Sequence, residues 1–420
     1  MTGILFLAHR LPFPPDRGDK IRSHHVLHGL AEQAPVHVGC FAESPADYQH
    51  EHLLSAIAAS HCMPLRNIGL VAAGLKAIAQ HVPVSLAAFR DQALADWVRA
   101  TLATHPIDTI YVFSGQMGQY VPADWAGRLI VDLVDVDSAK FEAYAQSGNP
   151  AMRWVNAREA RLLRAEEQQL AARADHVLLI SGQEADLFRS RVPASLHDRV
   201  HAMGNGIDAA SFDPTVVPRH AAFAGEAGPH LMFTGQMDYA PNVEAVQRVV
   251  RRIIPDIRDR FPGARFHIVG RAPTAEVRAL NGIAGCQVWG EVADVRPFLR
   301  AADLVLAPLT IARGVQNKVL EAMAMARAVV LTPQAATGIP AQHGTHLAIA
   351  ERDDELRDAC LALLSAPDDR ATMGRAARDL VLNDMNWPAM LVDLAGWISG
   401  PRRAGRDGVE LLGAGQRDAA

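Results

Sequence analysis

Short apolar runs alternate with longer amphipathic stretches along most of the chain. Gly3–Ala8 is a strand-like run closed by His9 and Arg10, and Val36–Phe41, Thr109–Phe113, Leu129–Leu133 and His176–Ile180 have the same form. Between them Lys20–Glu32, Asp91–Thr101 and Ala139–Gln146 show helical spacing. Continuous apolar runs mark strands buried on both faces, as in parallel sheets covered by helices. Ala151–Arg173 is a long, charged helical stretch, expected to present a solvated face with i, i+4 pairs. The second half repeats the pattern. Strands are predicted at Leu231–Gly235, Arg265–Gly270, Gln287–Gly290, Leu304–Pro308 and Ala328–Thr332, and helices at Asn242–Ile254, Asp294–Ala301, Asn317–Ala326 and Asp354–Leu364.

The expected fold class is therefore α/β, with two Rossmann-like doubly wound domains facing a cleft. Residues 1–212 form the first domain, 213–229 a Pro- and Gly-containing linker and 230–384 the second domain. Residues 385–399 form a last helix packing back toward the first domain, and 400–420 a polar tail expected to be disordered. Ligands of such sheets bind beyond the carboxyl ends of the strands, so the informative residues should follow strands.

The chain has 420 residues, 49% of them hydrophobic, which is ample for two cores. With 41 Lys and Arg against 46 Asp and Glu, no excess of positive charge points to nucleic acid. Cys40, Cys62, Cys286 and Cys360 are scattered without a C-x-x-C pair, against a zinc or redox motif and in favour of buried thiols. The apolar N-terminus is too short for a signal-peptide core or a membrane span, and no other run is long enough to cross a bilayer. A cytoplasmic protein is expected, at most peripheral to a membrane.

The segment from Arg313 to Ala324 follows a predicted strand and opens a helix. A helix N-terminus offers free N–H groups and a positive dipole suited to phosphate. Arg313 and Lys318 add cations, Gly314 and Asn317 lie in the turn, and Glu321, one turn in, suits a ribose diol. From spacing alone an ordinary helix start with a Lys318–Glu321 surface pair fits equally well. Asp132, Asp135 and Asp137 follow another strand; a metal site is the weaker reading, and Asp137 or Ser138 as helix cap the stronger. Ser181 is placed to cap the next helix. Of the 18 histidines, His9, His24 and His25 fall near the expected cleft. No G-x-G-x-x-G, H-E-x-x-H or Ser-His-Asp pattern is present.

Several segments, taken in order, resemble the GT-B glycosyltransferases of the retaining group called family 4 (GT4). They are Gly204-Asn205-Gly206-Ile207-Asp208 with Phe212-Asp213-Pro214, Phe233 to Asn242, Phe266 to Gly270, Trp289-Gly290-Glu291-Val292, and Lys318 to Ala324. Arg10 to Arg22, with Pro12, Pro14, Pro15 and Gly18, resembles the glycine-bearing loop of these enzymes. Together with Arg313 to Ala324 it is similar to sugar transferases of bacterial exosortase (PEP-CTERM) and exopolysaccharide loci.

The resemblance implies transfer of a sugar from a nucleotide-sugar donor to a hydroxyl acceptor with retention. It implies a glycan or lipid-linked glycan acceptor at the inner face of the membrane, and no metal or other cofactor. It assigns Arg313, Lys318 and Glu321 to catalysis. Donor binding falls to Gly235, Gln236, Gly270, Arg271, Val292, Gly314, Asn317, Lys318 and Glu321. The acceptor side comprises His9, Gly18, Asp19, Lys20 and Asp135. Many relatives carry two glutamates with seven residues between them, the spacing of Arg313 and Glu321 here, so the first is replaced by Arg313. Gln236 stands near where many relatives place a basic residue, with Arg271 as a substitute. A nucleotide-sugar epimerase on the same fold and a degenerate binding or scaffold subunit are the alternatives.

Overall fold

A computed structural model describes residues 2–66, 69–146, 149–223, 225, 228–312 and 314–400. Arg313 and the tail beyond Gly400 lie outside these residues. The chain divides into two units, one of Met1–Gly204 with the stretch from Leu391, the other Asn205–Met390.

The first unit is built on seven parallel strands: β1 (Gly3–Ala8), β2 (Val36–Cys40), β3 (Ser60–Cys62), β4 (Ile107–Phe113), β5 (Arg128–Val134), β6 (His176–Leu179) and β7 (Val200–Ala202). Their order is β3-β2-β1-β4-β5-β6-β7. Ile4 to Ala8 are fully buried because helices cover both faces, which is why β1 is apolar without alternation. At the middle of this unit Arg22, fully buried on the helix Gly18–Ala31, forks onto Asp132 of β5 (Nε–Oδ2 2.9 Å, Nη2–Oδ1 3.1 Å). Tyr111 donates to the same carboxylate at 2.9 Å, and Arg22 Nη1 reaches the carbonyl of Met203 at 2.7 Å. Asp132 is thus a structural anion rather than a metal ligand. Leu391 and Leu394 pack on the helix holding Gly29, and Arg128 donates to the carbonyls of Trp397 and Gly400, joining the C-terminal stretch to this unit.

The charged stretch is the helix Pro150–Arg173, but its acids look inward. Glu159 accepts from the Val84 and Ser85 amides at 2.8 and 3.1 Å. Glu167 accepts from the amide and hydroxyl of Ser138 at 2.9 and 2.6 Å. The expected i, i+4 ladder is replaced by tertiary contacts. The same bonds correct the cap assignment: the helix Asp137–Tyr144 starts after Val136, with Asp137 and Ser138 already inside its first turn, and Glu167 satisfies its amide. Ser181 does cap the helix Gly182–Arg189, accepting from Glu184 N at 3.1 Å.

The second unit has six parallel strands: β8 (His230–Thr234), β9 (Arg265–Val269), β10 (Cys286–Gly290), β11 (Leu304–Ala307), β12 (Ala328–Leu331) and β13 (Ala348–Ile349), in the order β10-β9-β8-β11-β12-β13. The segment before β8 packs within this unit. Arg296, Arg300 and Arg378 donate to the carbonyls of Ser211, Pro214 and Phe212 at 3.2, 2.8 and 2.9 Å. The single helix expected over Asn242–Ile254 is Ala240–Arg248, a π turn over Val249–Ile253, and then Ile254–Arg260. Pro255 explains the difference, since it has no N–H for the carbonyl four residues back and its ring would strike it. β3, β7 and β13 are two or three residues long and carry no apolar run to read. Among the described residues, no helix is long and apolar enough to cross a membrane.

Candidate active site

In each sheet the strand order reverses at one place, between β1 and β4 in the first unit and between β8 and β11 in the second. The crevice outside the carboxyl ends at such a switch point is where doubly wound sheets bind ligands. Of the residues singled out from the sequence, His9 and Asp135 lie at the first point, and Gly235, Gln236, Gly270, Arg271, Lys318 and Glu321 at the second.

In the second unit, β8 ends at Thr234 and turns at Gly235, and β9 ends at Val269 and turns at Gly270. The turns touch: a Cβ on Gly270 would stand 1.6 Å from Gly235 O, and one on Gly235 2.8 Å from Asn242 Nδ2 and 3.2 Å from Lys318 Nζ. Both positions require glycine because backbone and site groups occupy the side-chain space. Lys318 comes from the helix Asn317–Ala324, which follows β11 and whose first turn no side chain caps. Its Nζ bonds Asn242 Oδ1 at 2.6 Å and sits 4.6 Å from the centre of the Phe233 ring. Asn242 in turn donates to Gln236 O at 2.9 Å. A fixed ammonium therefore stands beside two side-chain-free backbone turns.

Burial holds Lys318 down to about 8 and pushes Glu321 up to about 7, each opposed by the other's charge. Both side chains are half-buried one turn apart. This is a desolvated acid–cation pair, not the surface pair that spacing alone allowed. Arg271, exposed, donates to Gln236 Oε1 at 3.0 Å, so these two residues meet at the mouth of the same corner. Gly290 O accepts from Gly270 N at 2.8 Å, which brings the β10 turn and half-buried Val292 to the same edge. Gly314 and Asn317 are exposed in the loop and first helical turn. Arg313 lies outside the described residues.

In the first unit, His9 immediately follows β1. Its ring stacks on Phe113 of β4 (centroids 5.8 Å apart, 8° between planes). Nε2 lies 3.3 Å from Asp19 Oδ2 and 3.2 Å from Arg10 Nη1, while the buried Nδ1 has no hydrogen-bond partner among the described residues. Burial lowers the His9 pKa, keeping the ring neutral. Arg10 also reaches Glu43 at 2.6 Å, and Arg17 contacts both Asp19 and Glu43, so the proline-rich loop is bound by a four-membered charge network. Against burial, which raises it, hydrogen bonds and charge from His9 and Arg10 hold the Asp19 carboxyl far below its ordinary range.

Lys20 does not join this cluster: it is buried, with Nζ directed to Phe13 O at 3.3 Å and to Asp47 at 3.9 Å. Gly18 opens a helix in free space, with nothing within 4 Å of a Cβ placed there. Two neighbouring strand ends carry strained backbone, Ser114 after β4 at φ 76° and Val134 at the end of β5 at φ 69°; such outliers concentrate at functional edges. Asp135 is exposed just beyond Val134 and lines a small pocket with Asp137, Glu166 and Glu167. Desolvation raises all four, Glu167 to about 7. Among the described residues, no group of three or more His, Cys, Asp or Glu side chains is arranged to hold a metal ion.

Phe233, Asn242, Arg10 and Arg17 lie in segments that carry the resemblance but take no role from it, and sequence reasoning did not name Glu43. Asn242 was legible as the end of one such segment and the start of a helix; its bond to Lys318 joins residues 76 positions apart.

Residues 228–366 match the family described as glycosyl transferases group 1. No curated protein matches the chain. Among solved structures, the chain is similar to Anabaena HepE in complex with UDP and glucose, at 16% identity over 96% of this chain and 100% of that one, with a TM-score of 0.63. It is similar to sucrose-phosphate synthase from Thermosynechococcus elongatus at 15% identity over 94% and 97% of the two chains, with a TM-score of 0.61. WaaG, a glycosyltransferase involved in lipopolysaccharide biosynthesis, aligns at 15% identity over 95% and 100%, with a TM-score of 0.58. The likeness is one of fold: two parallel-sheet α/β units, as in GT-B glycosyltransferases.

Proposed function

We propose that the protein is a glycosyltransferase that moves a sugar from a nucleoside diphosphate sugar to a hydroxyl acceptor. The observation that carries this reading is the corner formed by Gly235, Gly270, Asn242 and Lys318, with Glu321 one turn further on. It lies at the strand-order switch of the unit whose residues 228–366 match glycosyl transferases group 1. Backbone turns without side chains admit a diphosphate closely, and the fixed Lys318 ammonium and Arg271 neutralise it. The raised Glu321 carboxyl, half-buried and close in charge to Lys318, accepts from the ribose hydroxyls. Since the similar HepE structure holds UDP and glucose, a uridine nucleotide is the first donor to test.

Catalysis on this reading is electrostatic. Groups already in place stabilise the negative charge that builds on the leaving diphosphate, at no cost of reorganisation. The acceptor hydroxyl attacks on the leaving-group face and passes its proton to a donor phosphate oxygen, so configuration is retained. No protein nucleophile and no metal is required. His9 and Asp135 stand at the same edge of the first unit's sheet, where the sequence resemblance puts the acceptor. The finer assignment, a GT4 enzyme of exopolysaccharide or lipid-linked glycan synthesis at a membrane surface, rests on the sequence resemblance.

The test is calorimetric titration with UDP, GDP, ADP and TDP, followed by UDP-sugars and turnover with hydroxyl acceptors. Binding of one nucleotide, lost in Lys318→Ala, is expected. Absence of binding by all four at millimolar concentration overturns the reading.

A further inference from the structure

A second concave site lies in the second unit, and it shares no lining residue with the Gly235–Lys318 corner. It is a groove of about 640 Å³ at the carboxyl ends of β11, β12 and β13, within the 300–1,000 Å³ range of small-ligand sites. One wall is a single helical face: Glu244, Gln247, Arg248 and Arg251 recur at the spacing that stacks side chains, with Arg252 beside them. The opposite wall is made by Thr310, Gln334 and the turn Glu351-Arg352-Asp353. None of the residues lining it is aromatic or aliphatic, so it offers no apolar wall to an acyl chain.

Its charges are not all spent internally. Arg248 is fully engaged, donating to Asp353, to Glu351 O at 2.6 Å and to Pro308 O at 3.3 Å. Arg352 is held by Asp354 at 2.8 Å. Arg252, largely exposed, has only a 3.4 Å contact with Asp353, which Arg248 already occupies. Arg251 has no ion pair among the described residues. These two guanidinium groups project from the π turn Val249–Ile253, and such turns are frequent at functional sites. Beside them the Gln334 carboxamide, the carbonyl oxygen of Gln247 (whose Nε2 donates to Glu276 at 3.1 Å) and the Glu244 carboxylate, which takes one bond from the Thr310 hydroxyl at 3.1 Å, leave donors and acceptors for a polyol.

We propose that this groove binds a phosphorylated sugar or polyol, with Arg251 and Arg252 on the phosphate and the Gln and Glu side chains on the hydroxyls. Its lining contains none of the nucleotide-corner residues, and the proposal does not depend on the activity proposed above. The same chemistry is presented by a free sugar phosphate and by a phosphoinositide headgroup in a membrane.

The full-length protein is titrated with glucose 6-phosphate, inorganic phosphate and glucose, and is sedimented with phosphatidylcholine vesicles with and without phosphatidylinositol. An Arg251→Ala/Arg252→Ala variant, altered only at exposed positions, and Lys318→Ala are run beside it. A cooperative thermal melt at the parent protein's temperature reports that the double variant is folded. Two results each support the site: glucose 6-phosphate binding about tenfold tighter than phosphate, weakened about tenfold or more in the double variant and unchanged in Lys318→Ala; or phosphatidylinositol-dependent sedimentation lost in the double variant, which names the lipid as the source. Binding that survives in the double variant, or no binding in either arm, overturns it.

Discussion

Glu321→Gln separates a ligand-binding carboxylate from a structural one because the two roles change different observables. Burial raises the Glu321 pKa from its ordinary 4.5 to about 7. Between those values the folded protein keeps a proton that the unfolded chain has released. The group therefore favours folding most below pH 4.5 and loses that contribution as pH rises to 7. At about 1.36 kcal/mol for each pH unit between these two values, holding a charged carboxylate there above pH 7 costs about 3 kcal/mol at most, and about 2 after allowing for its partial exposure. Glutamine has the same shape and no charge to desolvate. At pH 8 the variant should gain about 2 kcal/mol, or about 4–8 °C in the melting transition that nucleotide raises, and at pH 4 the gain should vanish. Nucleotide affinity should fall about tenfold, because a neutral acceptor replaces a charged one on the ribose. Differential scanning fluorimetry at the two pH values and titration with UDP read both effects. A variant that is no more stable at pH 8, or equally stabilised at pH 4, would refute the desolvation argument; unchanged affinity would remove Glu321 from the ribose.

Other expectations follow from the same geometry. Lys318→Ala should weaken UDP binding about 10- to 100-fold, since it removes a charged contact to phosphate, as calorimetry would show. Gly270→Ala should abolish nucleotide binding and lower the melting temperature, because its Cβ would lie 1.6 Å from Gly235 O; Gly18→Ala should leave the melting temperature unchanged, since nothing lies within 4 Å. Arg22→Met should destabilise the first unit by about 3–5 kcal/mol in urea denaturation by stranding the Asp132 carboxylate. His267 accepts from Trp289 Nε1 at 3.1 Å and contacts His230 at 3.0 Å, and burial lowers its pKa from 6.5 to about 3. The unfolded chain gains this proton first, so stability from this group falls as pH drops from 6.5 toward 3. His267→Asn should therefore have a flatter acid limb than the parent protein by roughly 1 kcal/mol per pH unit.

The alternation of apolar runs and amphipathic stretches, with glycines after strand ends, determined the fold class and where along the chain a site had to lie. Gly235, Gly270, Lys318 and Glu321 are each legible because strand-then-turn periodicity is local. Their arrangement is not local. Only the packed sheet sets Lys318 between Asn242 and Phe233, and only desolvation turns a helical Lys–Glu spacing into a shifted pair. The proline loop shows the same division. Its stiffness is written in Pro12, Pro14 and Pro15, whereas the sinking of Lys20 and the pairing of Arg22 with Asp132, 110 positions away, belong to the fold. The helix Pro150–Arg173 keeps a solvated face at Arg153, Arg161 and Arg164, but Glu159 and Glu167 turn inward: charge along a helix says what water or protein could satisfy, and only the neighbours of each residue decide which does. Sequence patterns encode backbone periodicity and local steric need, while dielectric surroundings and long-range partners exist only once the chain has packed.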